Sequence, residues 1–258
     1  MSPSLVALYC PAHKSDLYSK AIASMADEVI IDLQDSVPSN LKDSAIHTAI
    51  NFLEDFDFSK KPIQVRIDRS RPDDIEALRR FGSQITLRVP HAEGSLSDIF
   101  ELGFMKIIPL IETARGVQNM IAVSETPGTV MLAMGEADLA ADLSTSSDEL
   151  IKQIRGNLLI ASRSAGLPRP MMSAWTRLSD QDGLIADCRQ GESMGFFGRT
   201  AIHPKQISAI RDGFLSAELR DHESRVIRDA LGREGGVALD AEGNMVDSAW
   251  LRRPNLED

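Results

Sequence analysis

Short runs rich in aliphatic and β-branched residues alternate with amphipathic stretches of helical period along most of this 258-residue chain. Such alternation predicts a parallel sheet, because consecutive parallel strands need a crossover connection, which is usually a helix. Eight strand–helix units in about this length are typical of a closed (β/α)8 barrel. The predicted strands are residues 5–11, 28–35, 62–68, 84–90, 106–112, 129–138, 170–175 and 198–204.

An open, doubly wound sheet is the alternative arrangement for this alternation. The sequence contains neither the G-x-G-x-x-G nor the G-x-x-x-x-G-K-[ST] motif that would support a nucleotide-binding fold of that kind. We therefore predict an α/β protein with a (β/α)8 TIM barrel over residues 1–215. Residues 216–258 include an amphipathic stretch and are predicted to form a C-terminal helical extension that packs on a neighbouring subunit.

Composition and charge exclude several classes of function. A formal net charge of −10 argues against nucleic acid as a partner, because nucleic-acid-binding domains carry basic patches. No apolar run approaches the length that spans a bilayer, and the first residues lack a basic region and a small-residue cleavage site. Cys10 and Cys188 are interpreted as reduced thiols. We therefore expect a cytoplasmic protein that binds neither nucleic acid nor membrane.

Polar residues collect where the predicted strands end. In a TIM barrel the active site lies at the C-terminal ends of the strands, so side chains from separate strands meet there. The strand-end residues are Asp32, Asp35, Arg66, Asp68, His91, Glu93, Glu112, Glu136, Asp138 and His203.

Glu112 and Asp138 end neighbouring predicted strands, so two negative charges are expected to lie close together. Close carboxylates repel each other unless a proton or a cation lies between them. Mg²⁺ suits such a site because it takes one or two carboxylates and keeps water molecules that substrate oxygens can replace. The alternative is that Glu112 caps the following helix or pairs with Arg115.

Arg66 and the two strand-end histidines also allow structural interpretations. Arg66 either faces a ligand or forms an ion pair with Asp32 or Asp35. His91 and His203 are interpreted as structural residues, with His203 expected to fix the turn beside Pro204 through a hydrogen bond.

Several motifs occur in collinear order: VIIDLQDSVP, VRID, VPHAE, IIPLIETARG, MGEADLAADL, GFFGRTAIHPKQI and a late GNMVD. In this order they resemble the citrate lyase β-subunit-like (CitE-like) proteins of the HpcH/HpaI aldolase and citrate lyase family. The resemblance covers roughly residues 5 to 250, and the joint pattern is specific although each motif alone is weak.

The resemblance implies a Mg²⁺-dependent TIM-barrel lyase that cleaves or forms a carbon–carbon bond between an acyl-CoA and a 2-oxo acid. Glu112 of LIET and Asp138 of GEAD would be the metal ligands, and Arg66 of VRID would contact the substrate and stabilise developing oxyanion charge. Asp247 of the M-V-D motif would move a proton in a neighbouring subunit's site, within a trimer or a dimer of trimers. Further substrate-binding residues implied by the motifs are Asp32, Asp35, Gly135, Glu136 and Ala137.

Four departures from the family pattern bear on coenzyme A. The family usually has an Arg-Ser pair before its first strand, and here Leu5 and Val6 occupy those two places. Ile46 replaces an Arg, His91 replaces a Lys, and Gln34 replaces a carboxylate. We interpret the three basic positions as lying around the mouth of the barrel. Their loss weakens the expectation of CoA more than the expectation of an oxo-acid or hydroxy-acid ligand.

Three functions remain open from the sequence. The first is a lyase or thioesterase-type enzyme that acts on a short hydroxyacyl-CoA such as malyl-, citramalyl- or citryl-CoA. The second is an aldolase of the same family that uses a 2-oxo acid without CoA; DLQD and the tail with Asp247 favour the first over it. The third is a diverged paralogue that binds a metabolite or serves as a subunit of a larger complex.

Overall fold

The computed structural model describes residues 4–214, 237–239 and 245–247. The predicted alternation of strands and helices is confirmed, and every pair of neighbouring strands in the main sheet is parallel. The strands of this sheet are β1 (Val6–Pro11), β2 (Glu28–Asp32), β3 (Ile63–Arg66), β4 (Thr86–Val89), β5 (Ile107–Ile111), β6 (Ala133–Met134) and β7 (Arg199–Ala201). Their spatial order is β6-β5-β4-β3-β2-β1-β7, so the chain adds strands stepwise around a curled sheet.

Helices follow the strands and cover the outer face of the sheet. Two of the longest, each with an apolar stripe, follow β2 and β6, where a helical period is clearest in the sequence. The helices are α1 (Tyr18–Ala23), α2 (Lys42–Asp55), α3 (Pro72–Leu78), α4 (Ser97–Glu101), α5 (Ala114–Gln118), α6 (Met120–Ser124), α7 (Glu136–Asp142), α8 (Asp148–Ser164), α9 (Gln181–Met194) and α10 (Gln206–Gly213).

The predicted sixth and seventh strands differ from the observed elements. The sequence predicts the sixth over residues 129–138, but β6 is two residues long and α7 begins at Glu136, where acidic side chains in the first turn favour a helix N-terminus. The seventh, predicted over residues 170–175, is a single parallel bridge between Met172 and Arg199. Prolines at 168 and 170 remove two backbone donors, so the pairing cannot extend regularly towards the N-terminal side of Met172.

The C-terminal region, residues 216–258, is the predicted helical extension. Most of it lies outside the described residues. The part that the structure describes is an antiparallel pair, β8 (Val237–Leu239) and β9 (Met245–Asp247), in which Val237 is the register partner of Asp247.

The concave side of the sheet carries a second, smaller apolar layer. Ala7, Ile30 and Met171 form one buried cluster there, and Ile108, Leu110 and Ala133 form another. Met131 packs against both clusters, although they lie on strands far apart in the sheet order. The inward-facing residues therefore fill the concave side of the sheet, as they do in a barrel.

Cys10 and Cys188 are both buried and free of disulfides, in agreement with their interpretation as reduced thiols. Burial raises the pKa of the Cys10 thiol to about 12 and that of the Cys188 thiol to about 11. No helix among the described residues is long and apolar enough to cross a membrane.

Helices α9 and α10 pack closely because Gly213 has no side chain. A Cβ atom at Gly213 would lie 2.3 Å from Cys188 Cβ, whereas a Cβ atom at Gly156 of α8 would have no neighbour within 4 Å. We expect Gly213→Ala to lower the free energy of unfolding by about 1–3 kcal/mol. Gly156→Ala should raise it by up to about 1 kcal/mol, because alanine favours a helix. Urea unfolding of both variants checks this, and equal stability of the two would contradict the tight α9–α10 contact.

Candidate active site

A cavity of about 390 Å³ opens at the C-terminal ends of the strands, where the sequence predicts the site. Residues from β1 to β7 and from the loops after them line it. Eight of the nine predicted site residues are among those residues: Asp32, Asp35, Arg66, Glu112, Gly135, Glu136, Ala137 and Asp138.

Glu112 follows β5 directly and is the most buried acid of this cavity after Asp32, with a fractional exposure of 2%. The backbone N–H of His91 donates a hydrogen bond of 2.8 Å to Glu112 Oε1. His91 adopts a positive φ of 49°, which turns its amide after β4 ends. The expectation that Glu112 caps α5 is wrong, because the hydroxyl of Thr113 accepts the N–H of Gly116 and so provides the cap.

Asp138 lies in the first turn of α7 and faces the same cavity. Its carboxylate has no hydrogen bond or ion pair among the described residues. Burial raises the pKa of Glu112, and the negative charge of Asp138 raises it further. The structure therefore brings together the two carboxylates that the sequence paired.

Gly135 allows this approach, because a Cβ atom there would lie 2.5 Å from Glu112 Oε2. Any larger residue would push the Glu112 carboxylate out of its position. The glycine of MGEAD is thus explained by packing against a carboxylate rather than by its backbone angles.

Arg66 forms the ion pairs that its structural interpretation predicted. Its Nε and Nη2 atoms donate to the two oxygens of Asp32 at 2.7 Å each, and its Nη1 atom lies 3.0 Å from Asp35 Oδ2. Burial alone would raise the pKa of Asp32, but the hydrogen bonds and positive charge of Arg66, together with the hydrogen bonds from Ser36 and Gln34, leave that pKa below its ordinary value. The guanidinium also lies over the ring of Tyr9, 5.1 Å from its centroid. Arg66 is therefore held rigidly at the cavity wall.

A family model described as HpcH/HpaI aldolase/citrate lyase matches residues 5–97 and 79–204 of this chain. The chain belongs to the HpcH/HpaI aldolase/citrate lyase family. A citrate lyase subunit beta-like protein of Mycobacterium tuberculosis is 31% identical over 95% of this chain and 90% of its own length. A (3S)-malyl-CoA thioesterase of Cereibacter sphaeroides is 28% identical over the same shares.

The fold comparison agrees with the family assignment. The structure of CitE from M. tuberculosis in complex with magnesium, acetoacetate and coenzyme A superposes with a TM-score of 0.84 at 28% identity. The match covers 99% of this chain and 97% of that protein. The resemblance of the motifs to this family is thereby confirmed.

Asp247 is the one predicted site residue that is not among the described residues lining this cavity. It lies at the end of β9 in the separate two-stranded sheet. His203 has the structural role expected of it, since its Nδ1 atom accepts the N–H of Lys205 at 3.1 Å in the turn after β7. Asp68 and Glu93 are likewise engaged, by Lys42 and Thr113.

Two of the three departures interpreted as basic positions around the mouth lie elsewhere. Ile46 is buried in the core, because the helical period of α2 turns it towards the sheet. Leu5 immediately precedes β1 and therefore lies at the N-terminal end of the sheet, opposite the cavity. His91 alone of the three lies at the C-terminal edge. The prediction that all three surround the mouth is wrong, and it carries little weight against coenzyme A.

A buried chain of charges supports the motif MGEAD and was not predicted. Arg155 of α8 donates to both oxygens of Glu136 at 2.8 Å, and its Nη1 atom lies 3.1 Å from Asp187 of α9. Asp187 in turn pairs with Arg199 of β7. The sequence did hold a signal, since Arg155 falls on the buried stripe of α8 together with Leu158 and Ser162.

Arg88 is the second cavity residue that the sequence reasoning missed. It faces inward from β4 as the register partner of Arg66, and it lines the cavity. The alternation of side chains in the strand could have indicated this position. Successive side chains point to opposite faces of a sheet, so Arg88 faces the side opposite to the apolar Leu87 and Val89.

Arg155 is the buried partner of two carboxylates, Glu136 and Asp187. A carboxylate left unpaired in the interior is costly. We expect Arg155→Met to lower the free energy of unfolding by about 3–5 kcal/mol, because Glu136 and Asp187 lose a buried partner. Arg163→Met on the exposed face of the same helix should change it by less than about 0.5 kcal/mol. Thermal or urea unfolding of both variants measures the difference. Comparable losses in the two would show that the chain of charges contributes no stability.

Proposed function

We propose that this protein is a Mg²⁺-dependent carbon–carbon lyase that cleaves or forms a short hydroxyacyl-CoA such as malyl-, citramalyl- or citryl-CoA, with a 2-oxo acid as product or substrate. The observation that carries the proposal is the juxtaposition of Glu112 and Asp138 in one cavity beside Arg66. Membership of the HpcH/HpaI family and similarity to a CitE structure with magnesium and coenzyme A support it.

The donor set fits Mg²⁺. Glu112 is a buried carboxylate with a raised pKa, and Gly135 leaves room for it. Asp138 is a second carboxylate without a protein partner among the described residues, so the two suit a cation held by two oxygens and water. The described residues contain no group of three or more His, Cys, Asp or Glu side chains that could hold a metal, so the fit is to a sparse oxygen site. When bound at Glu112 and Asp138, Mg²⁺ supplies Lewis acidity and a template for substrate oxygens.

The remaining residues of the cavity supply position and charge. Arg66, fixed by Asp32 and Asp35, keeps its guanidinium beside the reacting carbonyl, where a fixed cation stabilises developing oxyanion character. On cleavage the hydroxyl proton leaves, the carbon–carbon bond breaks towards the thioester fragment, and the resulting enolate takes up a proton. Asp247 transfers the proton that the enolate takes up. Gly135, Glu136 and Ala137 line the cavity and contact the substrate.

Two features of architecture belong to the same proposal. The curled sheet closes into a (β/α)8 barrel in which the segment around Met172 is the remaining stave; its bridge to Arg199 and the packing of Met131 on both interior clusters support closure. The protein forms a trimer or a dimer of trimers, in which residues 216–258 pack on a neighbour and bring Asp247 to that neighbour's site. Asp247 is not among the described residues that line the cavity of its own chain, which supports this arrangement.

A thioesterase is the second candidate function, and the similarity to a (3S)-malyl-CoA thioesterase favours it. An aldolase that dispenses with CoA and a diverged paralogue that binds a metabolite without turnover are two weaker candidates. Gln34 does not favour the paralogue, because the contact that it makes to the Asp32–Arg66 pair comes from its backbone N–H, which donates to Asp32 Oδ1 at 3.0 Å. Any residue other than proline could make that contact.

Turnover separates these activities. Purified protein with Mg²⁺ should release a 2-oxo acid and a shorter acyl-CoA from at least one of malyl-, citramalyl- and citryl-CoA. Release of free CoA thiol with the carbon chain intact would identify a thioesterase instead, and no reaction with any of the three would reject both activities. Product analysis by chromatography and mass spectrometry distinguishes the outcomes.

Glu112→Gln tests the metal assignment. The neutral amide is a weaker ligand for a hard cation, so Mg²⁺ binding measured by calorimetry and turnover should both fall by at least about 100-fold while the unfolding temperature is retained. Glu93→Gln is the matched control, because Glu93 also follows a strand at this edge but accepts the hydroxyl of Thr113 outside the cavity. Unchanged Mg²⁺ affinity in Glu112→Gln would remove Glu112 from the metal site.

The role of Asp247 across subunits is tested by complementation. Neither Asp247→Asn nor Glu112→Gln should turn over substrate alone, since each lacks one half of the chemistry. Refolded or co-expressed mixtures of the two should regain about a quarter of the wild-type rate, because random assembly in a symmetric ring unites two intact halves at that frequency. Mixtures that stay inactive would contradict a site shared between neighbours.

A further inference from the structure

Of the two arginines that line the cavity, Arg88 is the one that has no charged partner among the described residues. Its fractional exposure is 2%, and Nη1 donates one hydrogen bond of 3.0 Å to the neutral Gln64 Oε1. Its Nε atom has no hydrogen-bond partner, and no carboxylate of the described residues forms an ion pair with it. The ring of Tyr9 lies 5.8 Å from its guanidinium carbon and offers only a weak compensation.

The other charges that line the cavity are accounted for. Arg66 is engaged by Asp32 and Asp35, and Glu136 is engaged by Arg155. Glu112 and Asp138 are the proposed metal ligands. A buried guanidinium is costly unless a negative charge and hydrogen-bond acceptors satisfy it. Arg88 is therefore the cavity charge whose partner must come from the ligand.

We propose that Arg88 binds a second carboxylate of the substrate and makes this enzyme selective for a 2-oxo dicarboxylate over a 2-oxo monocarboxylate. The inference rests on the proposed function, in which the metal and Arg66 engage the oxo group and the first carboxylate. It adds the chemical class of the oxo acid, which the two metal ligands do not determine.

The position of Arg88 favours a small carboxylate over the phosphates of coenzyme A. Its register partner on β5 is Ile108, four positions before Glu112, so Arg88 lies further inside the sheet than the metal ligands do. Arg88 is only 2% exposed, so a small oxo acid inside the cavity can reach it, whereas the phosphates of coenzyme A at the surface cannot. The planar guanidinium with free N–H groups matches a carboxylate, which it can bind through two parallel hydrogen bonds.

Equilibrium binding tests the proposal without turnover. Isothermal titration of the full-length protein with Mg²⁺ uses pyruvate, oxaloacetate and 2-oxoglutarate as ligands. We expect at least one dicarboxylate to bind about 10- to 100-fold more tightly than pyruvate, the range that a hydrogen bond to a charged group contributes. Arg88→Met should remove this preference and change the affinity for pyruvate by less than about threefold.

Two further variants guard the interpretation. Arg69→Met removes an exposed cation at the edge of the site, whose Nη1 atom donates to the carbonyl of His91, and it should keep the preference. Arg88→Lys retains a charge and should keep part of the preference. The unfolding temperature of Arg88→Met should equal or exceed that of the wild type, because an uncompensated buried charge is replaced by an apolar side chain.

Each outcome decides a different statement. Binding of pyruvate but no tighter binding of either dicarboxylate by the wild type would overturn the selectivity alone, whether or not Arg88→Met folds. An equal loss of all three ligands in Arg88→Met would assign Arg88 to the common carboxylate and overturn the proposal. Absence of Mg²⁺-dependent binding of every oxo acid to the wild type would overturn the proposed function and this inference with it.

Discussion

Repulsion between two carboxylates is the constraint on which the arrangement of this site depends. Glu112 is buried at the end of β5, and Asp138 faces the same cavity from the first turn of α7, while Gly135 lies against Glu112 and leaves no room there for a side chain. Without a cation the pair is unfavourable. Burial is the main cause of the raised pKa of Glu112, and the negative charge of Asp138 raises it further. The surrounding contacts keep the carboxylates together despite this repulsion, which is typical of sites in which function opposes stability.

The surrounding charges are arranged in separate groups rather than in one network. On one side Asp32 and Asp35 hold Arg66, and on the other Arg155 and Arg199 hold Glu136 and Asp187. Among the described residues, neither group uses Glu112 or Asp138, the proposed metal ligands, as an ion-pair partner. The consequence is a cavity in which the positions of the reactive groups are set by the protein before any ligand enters, as electrostatic catalysis requires.

Much of this could be predicted from the sequence. Periodicity indicated the α/β class and the succession of parallel strands. The strand ends and the collinear motifs indicated nine site residues, of which eight line the cavity. Periodicity failed at β6, because the apolar run starts at Val130, ahead of the two-residue strand, and the polar residues after the strand begin a helix at Glu136. It could not reveal the partners of Glu136 or the isolation of Arg88, because both depend on which side chains meet across elements. The interpretation of Ile46 as a residue of the mouth failed for the same reason: its helix turns it into the core.

The contact between the His91 amide and Glu112 has a consequence for how this edge of the protein can evolve. The hydrogen bond comes from the backbone, so it does not depend on the chemistry of the side chain at position 91, provided that the residue tolerates the positive φ of 49° and is not proline. The side chain at 91 is more than half exposed, and its Nδ1 atom lies 3.5 Å from Glu112 Oε1, so a substitution there changes the charge near Glu112 without removing the backbone hydrogen bond. Mutation can therefore retune the charge presented to incoming molecules at this rim while the inner coordination geometry is inherited unchanged.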